Sequence, residues 1–406
     1  MYFLNERITK NIDKHFEACK EIADYLTDNP ETGGNEKKAS FRITSFLKEK
    51  GYRIKMPIEN IPYSFLANKY SKEDTRPKIA IMCEYDALPD IGHACGHSLS
   101  CGSSLLAALA LEEFFNELPF RIDVVGTPAE EYPGGKVFLS EKGFFDDYEF
   151  AIMAHMFYKN SPVFKVLACS DRYITFKGKN SHASANPCDG INALNAARIF
   201  MDSIDLWRQH IPSTSQIHGI IESGGELPSI VPDRIELNYY FRAKNMVELE
   251  DLVEKADKCA KGAALCTGTT YDIKQRYPTY SDIYLNPIAM KTVEEIFYAM
   301  GEKSIVFENP QGSTDAGNVD QVIPVFHPLV EITDGEEVPL HDAKFERLMK
   351  SNSGYKGMYN GGVLIASIIL RMATEPELLK EIQLTHKNYR EKNKVNIKSF
   401  SGEYIT

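Results

Sequence analysis

Apolar and polar positions alternate between helical and strand-like spacings along the first third of the chain. A period of about 3.6 residues predicts helices over Ile12 to Tyr25 and over Lys38 to Lys48. Short apolar runs predict three strands, and an Ala/Leu-rich segment predicts a helix, roughly Ser98 to Glu117, between the first two. The strands are Lys78 to Cys83, Arg121 to Gly126 and Glu149 to Ala154. Strands separated by helices are typical of a parallel or mixed α/β sheet.

A different order of elements begins near Cys169. The pattern there predicts β-α-β-β-α-β, the ferredoxin-like arrangement, in a segment of about 110 residues that suits a small domain. Asn245 and Glu248 are spaced like a capping box at the start of the second helix. The predicted elements are Arg172 to Lys177, Asp189 to Gln209, Gln216 to Ile221, Ile235 to Arg242, Asn245 to Cys266 and Thr270 to Gln275.

Beyond this segment the pattern returns to alternating elements. Asn286-Pro287 predicts a helix start and Gly301 its end, followed by strand and loop signals to Leu340 and then helices. The simplest interpretation is one mixed-sheet α/β domain built from residues 1–170 and 285–406. An α+β domain over 171–284 would be inserted into it.

Composition changes this picture only by exclusion. The 406 residues are 43% hydrophobic and 25% charged, which is ordinary for a globular chain. The net charge of −11 repels phosphate backbones, so we expect no nucleic-acid partner. Eight cysteines are too few for a disulfide scaffold, so we expect reduced thiols.

Targeting signals are weak. The apolar run within Met1 to Arg7 is too short for the core of a signal peptide. The longest apolar run, Val363 to Leu370, contains Ser367 and is far shorter than the roughly 20 residues that cross a membrane. We therefore expect a cytoplasmic protein with no membrane partner.

Polar clusters follow the predicted strands. In open α/β sheets, sites gather beyond the carboxyl ends of strands, so side chains from consecutive strands converge in one crevice. The clusters are Cys83 to Pro89, Gly92 to His97, Gly126 to Glu131 and Ala154-His155.

These clusters offer the chemistry of a metal site. Carboxylate, imidazole and thiolate are ligands of Zn²⁺ and its first-row neighbours. Cys95 and His97 flank one glycine and can turn to the same side. The adjacent Glu130 and Glu131 suggest that one binds metal while the other takes a proton from metal-bound water, whose pKa falls from ~15.7 towards ~7.

Each signal alone has an ordinary structural interpretation. A Glu-Glu pair is usually solvated surface, and a Cys-Gly-His segment is usually a buried thiol near a turn. His155 could be a core histidine with satisfied hydrogen bonds. Only their joint occurrence after successive strands favours a metal site.

The same segments resemble the metal-dependent aminoacylase and carboxypeptidase family, peptidase family M20. The similarity is strongest to its amidohydrolase branch, with dipeptidase-like and aminobenzoyl-glutamate hydrolase members. It is carried by Cys83 to His97 and Gly312 to Val319, and it runs from Asn29 to the last helices. The resemblance implies a metallo-exopeptidase catalytic domain, with the inserted domain acting as a lid or dimerisation domain in a homodimer.

The resemblance also implies a site with two divalent metal ions, Zn²⁺ or Mn²⁺, with Co²⁺ or Ni²⁺ as further candidates. Cys95 would lie between the two ions. His327 competes with His341 for the place of the last ligand. The implied ligands are Cys95, His97, Glu131, His155 and His341.

Further roles come from the same resemblance. Glu130 matches the general base, and Asp86 matches the acid that orients a ligand or supports the metal bridge. His93 would orient a ligand through a hydrogen bond. Glu84 stands where other branches carry a histidine ligand, and its role stays open.

The implied substrate contacts lie later in the chain. His182 would reach the substrate and stabilise an oxyanion, and Arg242 would bind a terminal carboxylate. Asp315 would help to position the substrate. Ser229 stands near a position where relatives commonly carry Asn, which puts the substrate class in doubt.

The sequence therefore predicts an enzyme that hydrolyses an amide bond of a small substrate with metal-activated water. The substrate would be a dipeptide or an N-acyl, aminoacyl or aminobenzoyl amino acid. Two alternatives stay open. One is a non-catalytic peptide- or amino-acid-binding protein on the same scaffold, and the other is a thiol hydrolase that uses Cys95 and His97.

Overall fold

A computed structural model describes residues 6–71 and 73–394, so most of the amino-terminal pattern and the end of the chain lie outside the described residues. The helices are α1 Glu6–Asp28, α2 Lys37–Glu49, α3 His97–Ala110, α4 Gly135–Glu141, α5 Ala193–Trp207, α6 Met246–Thr267, α7 Pro287–Ala299, α8 Ala316–Asp320, α9 Ala343–Arg347, α10 Asn352–Thr374 and α11 Pro376–Lys392. The strands are β1 Arg53–Lys55, β2 Phe65–Asn68, β3 Lys78–Cys83, β4 Arg121–Gly126, β5 Tyr148–Ile152, β6 His155–Phe157, β7 Ala168–Lys177, β8 Gln216–Ser223, β9 Arg234–Ala243, β10 Thr270–Lys274, β11 Val325–Phe326 and β12 Leu329–Glu331.

The chain divides into two compact units. The first combines Met1–Val166 with Ile283–Lys392, and the second is built on Leu167–Asp282. The lid or dimerisation role expected for the inserted segment stays a prediction.

The first unit is organised by a six-stranded mixed sheet of order β1-β2-β4-β3-β5-β11. Its central strands β4, β3 and β5 are parallel neighbours. Lys78 lies opposite Arg121 at one end of the β3–β4 pair, and Cys83 lies opposite Gly126 at the other. Both strands therefore end at the same edge of the sheet. The mixed α/β fold expected from the sequence is confirmed.

Helix α3 forms the centre of the larger core. It packs against α1, α10 and β3, and all of its residues are buried. Its small residues permit this close approach, and Ser103 Oγ donates a hydrogen bond to the Met358 carbonyl of α10 at 2.9 Å. The first residue of this rigid helix, His97, is consequently held firmly at the carboxyl edge of the sheet.

The second unit has a four-stranded antiparallel sheet of order β10-β7-β9-β8. Helices α5 and α6 cover it, and their apolar residues form a separate core. The order of elements is the predicted β-α-β-β-α-β. Asn245 caps α6 by accepting a hydrogen bond from the Glu248 amide at 2.9 Å, as its spacing indicated.

Two element boundaries differ from expectation. The strand predicted to end at Ala154 ends at Ile152, and His155 opens the separate strand β6, which pairs with β12. The helix predicted to reach Glu117 ends at Ala110 and continues as a short 3₁₀ turn, Glu112–Phe114. Apolar runs mark burial, and burial continues through both breaks, so the runs conceal them.

The longer helices are amphipathic or interrupted by polar residues. Among residues 6–71 and 73–394, no helix combines enough length with enough apolar character to cross a membrane.

Candidate metal centre

Three adjacent parallel strands place the candidate residues at one edge of the sheet. Glu84 and Asp86 follow β3, Glu130 and Glu131 follow β4, and His155 comes shortly after β5. This is the convergence that the strand order allows, because parallel neighbours end on the same side.

The Cys95-Gly96-His97 turn depends on its glycine. Gly96 has a φ of 90° and precedes α3, a left-handed conformation that glycine adopts without strain. A Cβ on Gly96 would also lie only 2.7 Å from Met156 Cβ. The turn therefore brings Cys95 and His97, both buried, to the same side of the sheet edge.

Hydrogen bonds fix the tautomers of two histidines. His97 Nδ1 lies 3.0 Å from the Asp86 carbonyl and 3.2 Å from Asp86 Oδ1, so it carries the proton and donates. His155 Nδ1 lies 2.8 Å from the Met156 carbonyl and donates in the same way. In both rings the lone pair of Nε2 is left for a ligand.

The two Nε2 atoms face the centre of the site. His155 Nε2 lies 3.6 Å from Cys95 Sγ. His97 Nε2 is buried and has no hydrogen-bond partner within residues 6–71 and 73–394. A buried lone pair without a donor is costly unless a cation or water occupies the space in front of it.

Asp86 links the two sides of the centre. One carboxylate oxygen contacts His97, and the other accepts a hydrogen bond from the Glu131 amide at 2.9 Å. A single buried carboxylate thereby fixes the imidazole of one candidate ligand and the backbone of another.

The last candidate ligand comes from far along the chain. His341 Nε2 lies 3.3 Å from Glu131 Oε1. The His341 backbone is left-handed, with a φ of 64°, and its amide donates to the Ala94 carbonyl at 3.0 Å. This hydrogen bond ties the His341 loop to the residue before Cys95, while the imidazole is half exposed.

The donor atoms form two groups that share one residue. Cys95, His97 and His155 each offer a ligand atom within 4.8 Å of the others, and so do Cys95, Glu131 and His341. Thiolate, imidazole and carboxylate make a donor set that suits Zn²⁺ and related ions. The residues therefore fit two ions that share the Cys95 sulfur.

Burial explains why this site favours cations. Burial raises the pKa of the Cys95 thiol well above its ordinary value, so a thiolate needs a cation in contact. Burial, with the nearby His97, lowers the pKa of His155 to about 4. His155 is consequently a neutral imidazole, the form that binds metal.

Glu130 lies beside both groups. Its Oε2 is 3.9 Å from His97 Nε2, and its side chain is almost completely buried. Burial, followed by the charges of Glu131 and Glu84, raises the pKa of Glu130 well above its usual range. A carboxyl group with a raised pKa next to a metal site suits transfer of a proton.

The sequence did not reveal Glu36, which supports the loop before Glu130. Ala129 is left-handed, with a φ of 61°, and its amide donates to Glu36 Oε1 at 2.6 Å. Glu36 is fully buried, and burial together with Asp86 raises its pKa to about 8. Its polar neighbours Asn35 and Lys37 gave no sign of burial.

Two further histidines lie near the centre without joining the donor groups. The His327 ring stacks on that of His155, with centroids 5.9 Å apart and planes 26° from parallel. His327 and His93 are both buried. Neither belongs to the donor groups found among residues 6–71 and 73–394, whereas His341 does.

Asp315 is placed against a residue that the sequence did not single out. Lys136 donates from its Nζ to Asp315 Oδ1 at 2.6 Å and from its amide to Asp315 Oδ2 at 2.9 Å. Lys136 also forms an ion pair with Glu84. The substrate contact expected of Asp315 stays a prediction, while the structure shows both of its oxygens bonded to Lys136.

The remaining candidates belong to the second unit. His182 is exposed, and its Nδ1 accepts from the Ala185 amide at 3.3 Å. The Ala183 amide donates to the Ser229 carbonyl at 2.9 Å, so the loops that carry His182 and Ser229 are joined. Arg242 lies on β9 and is half-buried.

Comparison with known families decides the relationship. The model for "Peptidase family M20/M25/M40" matches residues 80–356. The chain belongs to peptidase family M20. It is accordingly a metal-dependent hydrolase, as the resemblance indicated.

Individual relatives agree with this assignment. Xaa-Arg dipeptidase of Mus musculus is 33% identical over 395 residues, covering 94% of this chain and 91% of that protein. One of the two p-aminobenzoyl-glutamate hydrolase polypeptides of Escherichia coli is 30% identical over 299 residues, covering 66% of this chain and 60% of that protein.

The fold of this M20 hydrolase also matches solved structures. A dinuclear metal-binding M20 peptidase from Bacillus subtilis superposes with a TM-score of 0.64 at 19% identity, covering 89% of this chain and 99% of that one. At this identity the likeness concerns the fold.

Proposed function

We propose that this M20 hydrolase cleaves the amide bond of a dipeptide or of an N-acyl, aminoacyl or aminobenzoyl amino acid. Two divalent ions, Zn²⁺ or Mn²⁺ with Co²⁺ or Ni²⁺ as further candidates, would be held by Cys95, His97, Glu131, His155 and His341. The observation that carries the proposal is the pair of donor groups sharing Cys95, with Glu130 buried beside them.

The ions, when bound, polarise a carbonyl and make a bound water more acidic. Glu130 then accepts the proton of that water at a carboxylate oxygen and passes it to the leaving amine. Asp86 keeps the His97 lone pair and the Glu131 backbone in position. The proposal assigns His182 to the oxyanion and Arg242 to a substrate carboxylate, with Ser229 near them.

Among these substrates we favour a free dipeptide. The mouse relative named as a dipeptidase aligns over 94% of this chain, whereas the bacterial relative named for aminobenzoyl-glutamate aligns over 66%. An N-acyl amino acid tests the alternative in which no free amino group is needed.

The test combines metal analysis with a hydrolysis panel. Purified protein would be loaded with Zn²⁺ or Mn²⁺ and offered Xaa-Arg and neutral dipeptides, an N-acyl amino acid and aminobenzoyl-glutamate. We expect two ions per chain, hydrolysis of a dipeptide and loss of activity after chelation, restored by added metal. Binding without turnover favours the non-catalytic alternative, and activity that survives exhaustive chelation favours a thiol hydrolase.

We also propose a homodimer formed through the second unit. Strand β8 lies at the edge of its sheet, and its Ile220 and Ile221 are 61% and 46% exposed. An exposed apolar edge strand readily pairs with another strand. Light scattering should give a dimer mass for the wild type and a lower mass for Ile220→Lys, and a monomeric wild type contradicts the proposal. The expected cytoplasmic location stays a prediction.

A further inference from the structure

A cage of three carboxylates lies next to the candidate metal centre. Glu84, Glu130 and Asp315 each place an oxygen within 4.8 Å of the other two, and all three are buried. The Lys136 ammonium lies 2.5 Å from Glu84 Oε1 and 2.6 Å from Asp315 Oδ1. The cage thus contains a cation supplied by the chain itself.

This position is unfavourable for a lysine on local grounds. Lys136 is fully buried in the first turn of α4, where the helix dipole disfavours a positive charge. Removing an ammonium from water costs several kcal/mol unless it is paired. Burial alone would lower the pKa of Lys136, but Asp315 and Glu84 raise it above its ordinary value.

The backbone around the lysine is built to keep it there. A Cβ on Gly135 would lie 2.0 Å from the Pro128 carbonyl oxygen, so only glycine lets α4 begin so close to the loop after β4. The Asp315 carboxylate also accepts the Lys136 amide. Backbone and side chain of one residue are therefore held by the same carboxylate.

The cage extends to a candidate metal ligand. Glu84 uses one oxygen for Lys136, and its other oxygen lies 3.6 Å from His97 Nε2. Glu130, a member of the cage, lies 3.9 Å from the same nitrogen. Removal of the lysine charge would leave mutually repelling carboxylates next to the proposed base.

We propose that Lys136 is a positioning residue, an internal cation that holds Glu84 towards His97 and leaves Glu130 facing the metal ions. The inference deepens the proposed function and rests on it. A simple fold anchor is the alternative, since a buried ion pair can join α4 to the segment before α8 without affecting the metals.

Lys136→Met tests the role of the charge with little change in size. We expect kcat to fall about 100-fold with KM little changed, because small misplacements of catalytic groups have effects of that size. The visible spectrum of the Co²⁺-loaded protein should also change. Lys142→Met is the matched control, because Lys142 lies at the end of the same helix, is exposed and donates to the Glu59 carbonyl at 2.6 Å.

A compensated variant separates positioning from anchoring. Lys136→Met combined with Asp315→Asn restores the net charge of the cage, and we expect it to recover at least about tenfold in kcat. If the double variant recovers neither activity nor the Co²⁺ spectrum, and both losses follow the loss of thermal stability, the lysine is only an anchor and the inference is wrong.

Glu84→Gln covers the case in which Lys136→Met does not fold. It keeps the Lys136–Asp315 pair and removes only the charge next to His97. We expect a lower kcat and an altered Co²⁺ spectrum at an unchanged melting temperature. Wild-type values for both readouts would overturn the inference.

The two proposals can fail separately. If the wild type hydrolyses nothing in the panel, the proposed function fails, and the Co²⁺ spectra still show whether Lys136 acts on the metal centre. If the wild type hydrolyses a dipeptide and Lys136→Met matches it in kcat and in spectrum, only the inference about Lys136 fails.

Discussion

Asp86 shows how one side chain can organise a site at the residue scale. Its two oxygens contact the His97 imidazole and the Glu131 amide, which belong to different strand-end loops. Carboxylates that orient metal-binding histidines fix both the tautomer and the direction of the ring. The geometry therefore makes Asp86 a determinant of metal affinity without making it a ligand.

Asp86→Asn should weaken Zn²⁺ binding by about 10- to 100-fold, since loss of such partners has effects of that size. Equilibrium dialysis measures the affinity directly. Asp90→Asn is the control, because Asp90 is exposed in the same loop and its left-handed backbone, with a φ of 65°, tolerates asparagine. Equal affinities of both variants and the wild type would contradict the assignment.

Glu130 and Glu131 are adjacent but should respond differently to loss of charge. Glu130→Gln should retain both metal ions and lose about 10²- to 10⁴-fold in kcat, the usual contribution of a general base. Glu131→Gln should instead release metal, because its oxygen belongs to a donor group. Metal content and kcat measured on the same samples separate the two roles, and full activity of Glu130→Gln would exclude it as the base.

At the scale of elements, close contact between α3 and α10 supports the site. A Cβ on Gly361 would lie 2.6 Å from Ser103 Oγ, so the glycine allows α10 to approach α3. Interiors at normal packing density have no room for an additional methyl group. Since His97 is the first residue of α3, this packing also fixes a candidate ligand.

Two Gly→Ala substitutions in helices should have opposite effects. Gly361→Ala should lower the free energy of unfolding by about 1–3 kcal/mol through overpacking. Gly262→Ala in α6 should raise it by up to about 1 kcal/mol through helix propensity, because Gly262 is exposed and none of the described residues has an atom within 4 Å of the added carbon. Urea denaturation measures both, and a stabilising Gly361→Ala would contradict the packing argument.

Local signals determined many of the elements. The limits of β3 and β4 coincide with the predicted ones, and the caps at Asn245 and Asn286 form as expected. Capping depends on residues within one turn, so it can be recognised from the sequence. The break between β5 and β6 depends on which strand each segment pairs with, and local pattern does not contain that information.

At the scale of the whole molecule, Asp320 ties the last helix to the first unit. Its carboxylate accepts from the Tyr284 amide at 2.8 Å and the Val325 amide at 3.0 Å, and it forms an ion pair with Arg390. His386 Nε2 lies 2.6 Å from the Asp320 carbonyl. Helix α11, distant in sequence, is thus fastened to the edge of the sheet.

This network predicts a pH-dependent contribution to stability. Burial works against the charge of Asp320, but Arg390 and His386 lower its pKa below the ordinary value of 3.8. Because the pKa is lower in the folded state, the stabilisation is present above about pH 3.8 and decreases as the pH falls below it. Acid therefore weakens the attachment of α11.

Asp320→Asn should lower the free energy of unfolding at pH 7 by about 3 kcal/mol, since it leaves Arg390 buried without its partner. The difference from the wild type should shrink below pH 3.8. Urea denaturation at a series of pH values measures it, with the exposed Asp334→Asn as control. A difference that stays constant or grows in acid would contradict the argument.

The sequence by itself determined the family, the mixed α/β fold and which residue types could bind metal. Strand-end clusters and their spacing are local features, and a parallel sheet brings such clusters to one edge. The tertiary structure alone decided the pairing of those residues. It placed His341 against Glu131 and left His327 outside the donor groups found in the described part of the chain.

It also decided which charges are buried. Nothing in the local sequence distinguishes Glu36 or Lys136 from solvated residues, because burial depends on what the rest of the chain packs over them. Only in the folded state does Lys136 meet Asp315, 179 positions away. A charge is tolerated there because its partner arrives by long-range folding, which a local pattern does not encode.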